Sequence, residues 1–278
     1  MHTHERPLTA VLICHQHERL DSAGLASWLA ATFSLAGIVE IRADRRRVWR
    51  AMRREVTRSG LVGFLDVLAL RAYARWRYQQ PDAEWIAQET ERLRQRYPSR
   101  LNDVPRLVVR DPNGPAARTF IKSLAPDFII ARCKFILSPS VFTLARHGSY
   151  ALHPGICPEY RNAHGCFWAL ANRDLERVGM TLLRIDRGVD TGPVLLQAGC
   201  DFDEVRESHI RIQHRVVTEN LDRIGETLID VAAGAATPID TSGRPSAVWG
   251  QPRLTTYLRW KRAAARQQQR LHRVPVVP

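Results

Sequence analysis

The chain has 278 residues, 45% of them hydrophobic, with 41 lysines and arginines against 28 aspartates and glutamates and a net charge of +13. That is enough apolar material for a sizeable buried core in one large domain or two modest ones, and too much for a disordered polyelectrolyte. No uninterrupted apolar run approaches the ~20 residues that span a bilayer, and the opening MHTHERPLTAVLICHQHE has too short an apolar stretch for a leader peptide, so a cytoplasmic location is the expectation.

In chain order, residues 8–14 read as a short apolar strand, and residues 20–33 have helical spacing with Asp21 or Ser22 placed as a cap. Residues 37–42 read as a second strand. Residues 45–100 then read as a basic helical insertion of two or three helices, broken near Ser59-Gly60 and at Pro81-Asp82. Residues 106–109 form the third strand, 115–123 a helix and 127–131 a buried strand, an alternation that predicts parallel pairing with ligands at the strands' C-terminal ends. Beyond residue 203 a helix over 204–232 closes the α/β unit, a turn-rich stretch follows over 234–253, and residues 255–278 read as a basic helix with a proline-containing end. The organisation expected is an α/β domain over 1–232 with a basic C-terminal extension over 233–278 that is too small for a second domain.

Five cysteines without a C-x-x-C pair suggest free thiols rather than a disulfide framework or a zinc site. Positive charge gathers at residues 42–100 and 253–273, where Trp49, Trp76, Trp85 and Trp260 interleave with arginines. Such helices present solvated arginine stems over inward-packed aromatics, receive an anionic small substrate, or bind nucleic acid or a membrane surface. His15 and His17 share one side of an extended segment and read as surface residues more readily than as ligands for an anion or metal.

The densest chemistry lies between residues 150 and 195. One apolar run ends at His153 and is followed by Pro154-Gly155; a second ends at Ile185 and is followed by Gly188 and Gly192-Pro193, with Asp190 between them. Polar groups at strand ends are where α/β folds place reactive residues, and this His–Asp pair suggests proton transfer.

Several ordered motifs in this stretch resemble the folate-dependent formyltransferases, the family that includes glycinamide ribonucleotide, methionyl-tRNA and amino-sugar formyltransferases. The matching residues are His153-Pro154-Gly155, Pro158-Glu159-Tyr160-Arg161, Gly179-Met180-Thr181 and Asp186 through Pro193, and the likeness extends over about residues 105–205. His164-Gly165 and Trp168-Ala169-Leu170 look most like the branch acting on amino sugars. The resemblance implies a Rossmann-like formyltransferase fold, a mostly parallel twisted sheet flanked by helices. It implies formyl transfer from 10-formyltetrahydrofolate as co-substrate to an amine of a small, anionic acceptor, an amino sugar nucleotide or amino acid derivative, through a tetrahedral intermediate. His153 and Asp190 are then the catalytic pair. Phe135, Ile136, Leu137, Ile185, Asp186, Arg187, Gly188 and Val189 line the pteridine pocket, and Tyr160, Arg161 and Asn162 face the acceptor. No metal is implied.

Three departures accompany the match. Ala151 stands where the family has an asparagine that stabilises the oxyanion, and loss of such a donor costs on the order of a hundred- to a thousand-fold in rate. Asn162 stands where the family has glycine. The glycine- and serine-rich phosphate loop after the first strand is replaced by His15-Gln16-His17. The departures keep two further readings open, a 10-formyltetrahydrofolate hydrolase or weakened homologue, and a basic adaptor that binds nucleic acid or protein. Nothing in the C-terminal segment resembles the β-barrel appended to methionyl-tRNA enzymes, which disfavours tRNA.

Overall fold

The computed structural model describes residues 6–273. The first five residues of the leader-peptide reading and the proline-containing end over 274–278 lie outside the described residues.

Strands form where β-branched and aliphatic residues run together. They are β1 (Thr9–His15), β2 (Ser34–Ile41), β3 (Arg106–Val109), β4 (Phe128–Arg132), β5 (Gly148–His153), β6 (Gly179–Arg184) and β7 (Val194–Gly199). They make one seven-stranded sheet in the order β3-β2-β1-β4-β5-β6-β7. The first five strands pair in parallel, as the alternation predicts, whereas β6 runs antiparallel to both β5 and β7. Strand order turns back at β1, beside β4, so a crevice opens at the C-terminal ends of these two strands.

The helices are α1 (Ala26–Thr32), α2 (Arg45–Arg96), α3 (Pro115–Leu124), α4 (Pro139–Phe142), α5 (Gly165–Ala171), α6 (His209–Thr218), α7 (Leu221–Ala232) and α8 (Leu254–Arg273). One sheet face carries the larger core, where Leu12, Leu152, Phe167, Ile212 and Trp260 meet; the opposite face carries Val11, Ile13, Ile129, Leu137 and Val141.

Three sequence expectations are corrected. Asp21 does not cap a helix: a π-helical turn over Leu20–Leu25 leads into α1, no side chain caps it, and Asp21 is buried 3.8 Å from Arg132. The insertion breaks at Gly60, whose φ of 70° leaves the helical region, but runs without interruption through Pro81. There Arg211 donates to Pro81 O at 2.9 Å and Ser208 Oγ to Asp82 Oδ2 at 2.6 Å, so tertiary bonds fix the turn that proline weakens. The helix expected over 204–232 is two, α6 and α7, because Asn220 lies between them and its carboxamide donates to both Val216 O and Gly199 O at 2.9 Å.

The insertion and the basic tail both pack into the main core. Leu70, Tyr78 and Leu93 of α2 and Tyr257, Trp260 and Ala264 of α8 are buried in the larger cluster. Trp260 and Trp85 follow the inward-packing expectation, while Trp49 and Trp76 stay exposed. All five cysteines are free thiols, and no helix among the described residues is long and apolar enough to cross a membrane.

Candidate functional site

At the crevice lies a cavity of about 1180 Å³ whose walls include the ends of β1, β4 and β5, the loop after β6, and faces of α2 and α6. His153, the last residue of β5, is 6% exposed and reaches it. Its Nε2 lies 2.9 Å from Tyr160 O and its Nδ1 lies 3.6 Å from Asp190 Oδ2. A carbonyl only accepts, so Nε2 carries a proton, and Nδ1 is the ring nitrogen that faces Asp190. Asp190 Oδ2 in turn accepts from the Asn162 backbone N–H at 2.8 Å. The imidazole is therefore oriented from one side by a peptide carbonyl, with a carboxylate facing the nitrogen that can take up a proton.

Tight backbone approach seats this ring. A Cβ on Gly155 would fall 2.6 Å from Tyr160 O and 2.7 Å from His153 Nε2, and one on Gly165 would fall 2.5 Å from Gly155 Cα. Fully buried Thr181 ties the turn down, donating to Gly155 O at 2.6 Å and accepting from Cys157 N at 3.1 Å. In the loop after β6, Asp186 accepts from Gly188 N at 2.9 Å and Thr191 Oγ1 at 2.8 Å, which closes the loop around Asp190. Asp190 and Asn162 have φ of 51° and 76°, left-handed conformations that aspartate and asparagine tolerate better than most residues.

The expected pocket residues separate into two groups. Phe135, Ile136, Leu137, Ile185, Asp186, Gly188 and Val189 line the cavity, Ile136 remaining 62% exposed although it is apolar. Arg187 is exposed and is not among the lining residues. Of the expected acceptor-facing residues, Asn162 lines the cavity, while its Nδ2 is directed to Trp249 O at 2.7 Å. Tyr160 is buried, its hydroxyl donating to Asp174 at 2.9 Å, and it serves the cavity through its main-chain carbonyl. Arg161 stands outside the lining and bridges through its backbone to Val248.

That bridge belongs to a strap over 239–250, within the stretch that the sequence marks only as turn-rich. Arg244 donates to both oxygens of Glu159 at 2.9 and 2.7 Å, Trp249 Nε1 donates to Glu159 O at 2.8 Å, and Trp168 Nε1 donates to Gly250 O at 2.9 Å. The Trp249 ring stacks on both Tyr160 and Trp168, with centroids 5.7 and 4.9 Å away. The strap thus holds the segment that supplies the Tyr160 carbonyl and the Asn162 N–H.

Sequence reasoning also missed the polar wall on the β1 side. Arg132 donates to Leu152 O at 2.8 Å, and Lys134, which follows β4, joins the cavity lining with Asp21, Gln213 and His214. Burial pushes the Asp21 carboxyl up to about 7, with Arg132 partly opposing it. Burial holds His209 and His214 down to about 3, and drives His164 well below its usual value. Lys134 is likewise lowered by desolvation. The available signal was a pair of charges, Arg132 and Lys134, at the end of an apolar strand.

Residues 83–228 match the family model described as formyl transferase. The chain belongs to the formyl transferase family. Within that family it is 32% identical over 136 residues to a methionyl-tRNA formyltransferase of Synechococcus, covering 49% of this chain and 41% of the relative. It is 29% identical over 164 residues to the corresponding enzyme of Chlorobium chlorochromatii, covering 59% and 52%. The chain thus spans about half or less of the length of these relatives. Among solved structures it resembles a phosphoribosylglycinamide formyltransferase from Anaplasma phagocytophilum, with TM-score 0.51 and 14% identity over 89% of this chain and 100% of that one. It also resembles a sugar N-formyltransferase from a Shewanella species, with TM-score 0.51 and 13% identity over 91% and 87%. These structural likenesses bear out the Rossmann-like formyltransferase fold. The matched segment contains both His153 and Asp190.

Proposed function

We propose that this protein transfers a formyl group from 10-formyltetrahydrofolate to a primary amine on a small, anionic acceptor. The observation that carries the reading is the His153–Asp190 pair at the cavity, with Nδ1 and Oδ2 3.6 Å apart and the far ring nitrogen fixed on Tyr160 O. Transfer to an amine requires a place for the amine's proton and stabilisation of charge on the formyl oxygen. His153 Nδ1 is oriented to take or give a proton, and Asp190 stabilises the imidazolium form.

The residues present fit a reduced pterin. Exposed Ile136 with Phe135, Leu137, Ile185 and Val189 offers an apolar wall, and Asp186, Gly188 and Asp190 of the following loop line the same cavity. A flat heterocycle with edge donors and acceptors suits an apolar slot of this kind. The bound donor supplies the formyl carbon; the chain's own residues orient it, exclude water and move the proton.

An anionic acceptor is supported by Arg50, Arg54 and Arg58, which are spaced at successive helical turns on α2 and, with Arg110, are among the residues lining the cavity. A guanidinium row of this type suits phosphate groups. Ala151 lines the cavity next to His153 and brings no donor, so catalysis here rests more heavily on His153.

The test is conversion of 10-formyltetrahydrofolate to tetrahydrofolate by the purified protein, with and without a panel of amino sugars, nucleotide-linked amino sugars and amino acids, beside His153→Ala. Amine-dependent conversion that disappears in the variant is the expected result. Conversion independent of amine would identify a hydrolase, and absence of both conversion and folate binding would refute formyl transfer.

A further inference from the structure

Beyond its bend at Gly60, α2 presents an apolar stripe to solvent. Leu61, Leu65 and Trp76 are 65%, 54% and 80% exposed, with half-buried Leu68 and exposed Ala72 between them. Spacings of three and four residues keep all five on one side of the helix over about 22 Å. The opposite side carries buried Val67, Leu70 and Tyr78, the last two within the larger core. The Trp76 ring lies 6.0 Å from that of Tyr73, which in turn meets Tyr78 and Tyr257, so the stripe is mounted on a packed aromatic cluster. Single exposed apolar residues are ordinary on a protein surface, but an aligned row of large ones marks a place of association.

Charge decides what covers this stripe. Residues 49–80 contain seven arginines and no lysine, against Glu55 and Asp66, and the Asp66 carboxylate already accepts from Thr255 N and Oγ1 at 3.1 and 2.5 Å. Beside the stripe, Arg71 and Arg75 share a shallow depression of about 550 Å³ with Ala72, Trp76 and Gln79. We propose that the Leu61–Trp76 face of α2 docks on an anionic lipid bilayer, the leucines and the indole entering the edge of the acyl layer while Arg71 and Arg75 meet headgroup phosphates. A bilayer offers both halves of the match, apolar depth and negative charge along one plane, and indoles concentrate at that boundary. Nucleic acid offers the charge but no apolar layer for Leu61 and Leu65. A second copy offers the apolar layer but, pairing like face with like face, gathers the arginines of both copies. None of the five stripe residues lines the cavity at His153, and the docking is independent of the formyl-transfer reading.

The test is sedimentation of the full chain with phosphatidylcholine vesicles, with and without phosphatidylglycerol. The unaltered protein is expected to bind the anionic vesicles at least about tenfold more tightly than the neutral ones. Leu65→Ser combined with Trp76→Ser should weaken that binding by about tenfold or more, the share of two large side chains withdrawn from water, with the melting temperature kept because both are exposed. A second measurement leaves the stripe apolar: phospholipids brominated in the acyl chain should quench the tryptophan fluorescence of the unaltered protein and that of Trp76→Phe markedly less. Equal vesicle binding by the parent and the double variant, or equal quenching of the parent and Trp76→Phe, would reduce the association to surface charge and overturn the docking face. Absence of binding to anionic vesicles overturns it as well. In that case retention of a duplex oligonucleotide that falls in the double variant would assign the face to nucleic acid, and a concentration-dependent dimer lost in the same variant would assign it to a second copy.

Discussion

Replacing His209 with phenylalanine should make the protein less sensitive to acid. His209 opens α6, 5% exposed, with its ring edge-on to Phe167 and Tyr257 at centroid distances of 5.2 and 5.9 Å and its Nδ1 unpartnered. Burial, reinforced by the positive charges of Lys261 and Lys134, lowers its pKa from 6.5 to about 3. At this residue the folded state therefore binds fewer protons than the unfolded chain below pH 6.5. The site's contribution to stability is full above that value and is lost as pH drops toward 3. At pH 5 the single site costs about 2 kcal/mol, taking about 1.4 kcal/mol per pH unit over the interval below 6.5. His209→Phe should match the parent within about 1 kcal/mol at pH 8, because an aromatic ring replaces an aromatic ring and the unpartnered Nδ1 has no hydrogen bond to lose. At pH 5 it should gain about 2 kcal/mol on the parent. Urea unfolding followed by tryptophan fluorescence at both pH values measures the difference, and parallel pH profiles for parent and variant would refute the buried neutral imidazole.

Three further outcomes follow from other parts of the structure. Asp21→Asn should act with the opposite sign: a carboxyl raised from 3.8 to about 7 makes the folded state hold the extra proton, so parental stability declines as pH climbs across that interval, and the variant should flatten this decline in the same assay. Gly165→Ala would drive a methyl into the backbone of Gly155, Tyr160 and Pro154 and should lower stability by about 3 kcal/mol, with roughly a hundredfold loss of folate turnover because the His153 seat moves; an unchanged melting temperature would refute the close approach. At position 162, where φ is 76°, Asn162→Ala should be less stable than Asn162→Gly by about 1 kcal/mol in denaturant titration, since both variants lose the bond to Trp249 O and differ chiefly in left-handed strain; equal values would contradict it.

Local signals sufficed where one element's residues decide its form. The apolar run at 106–109 is β3 to the residue, and the turns after His153 and Ile185 bring the predicted His–Asp pair together. Legibility failed where distant partners decide. Pro81 reads as a helix break until Ser208 and Arg211, far along the chain, brace its turn. Asn162 reads by resemblance as an acceptor-facing residue; its left-handed backbone and the bond of its amide to Trp249 O give a physical reason for an asparagine there.

The segment recognisable by ancestry ends at residue 228, while Arg244, Val248, Trp249 and Gly250 hold the Glu159–Asn162 loop from beyond it. Cutting the gene at the homology boundary would keep both His153 and Asp190 and discard the contacts that hold the loop beside them. A variant that keeps the loop as folded would have to carry residues 239–250 with the matched segment, since the unit recognisable by ancestry is smaller than the unit that packs together.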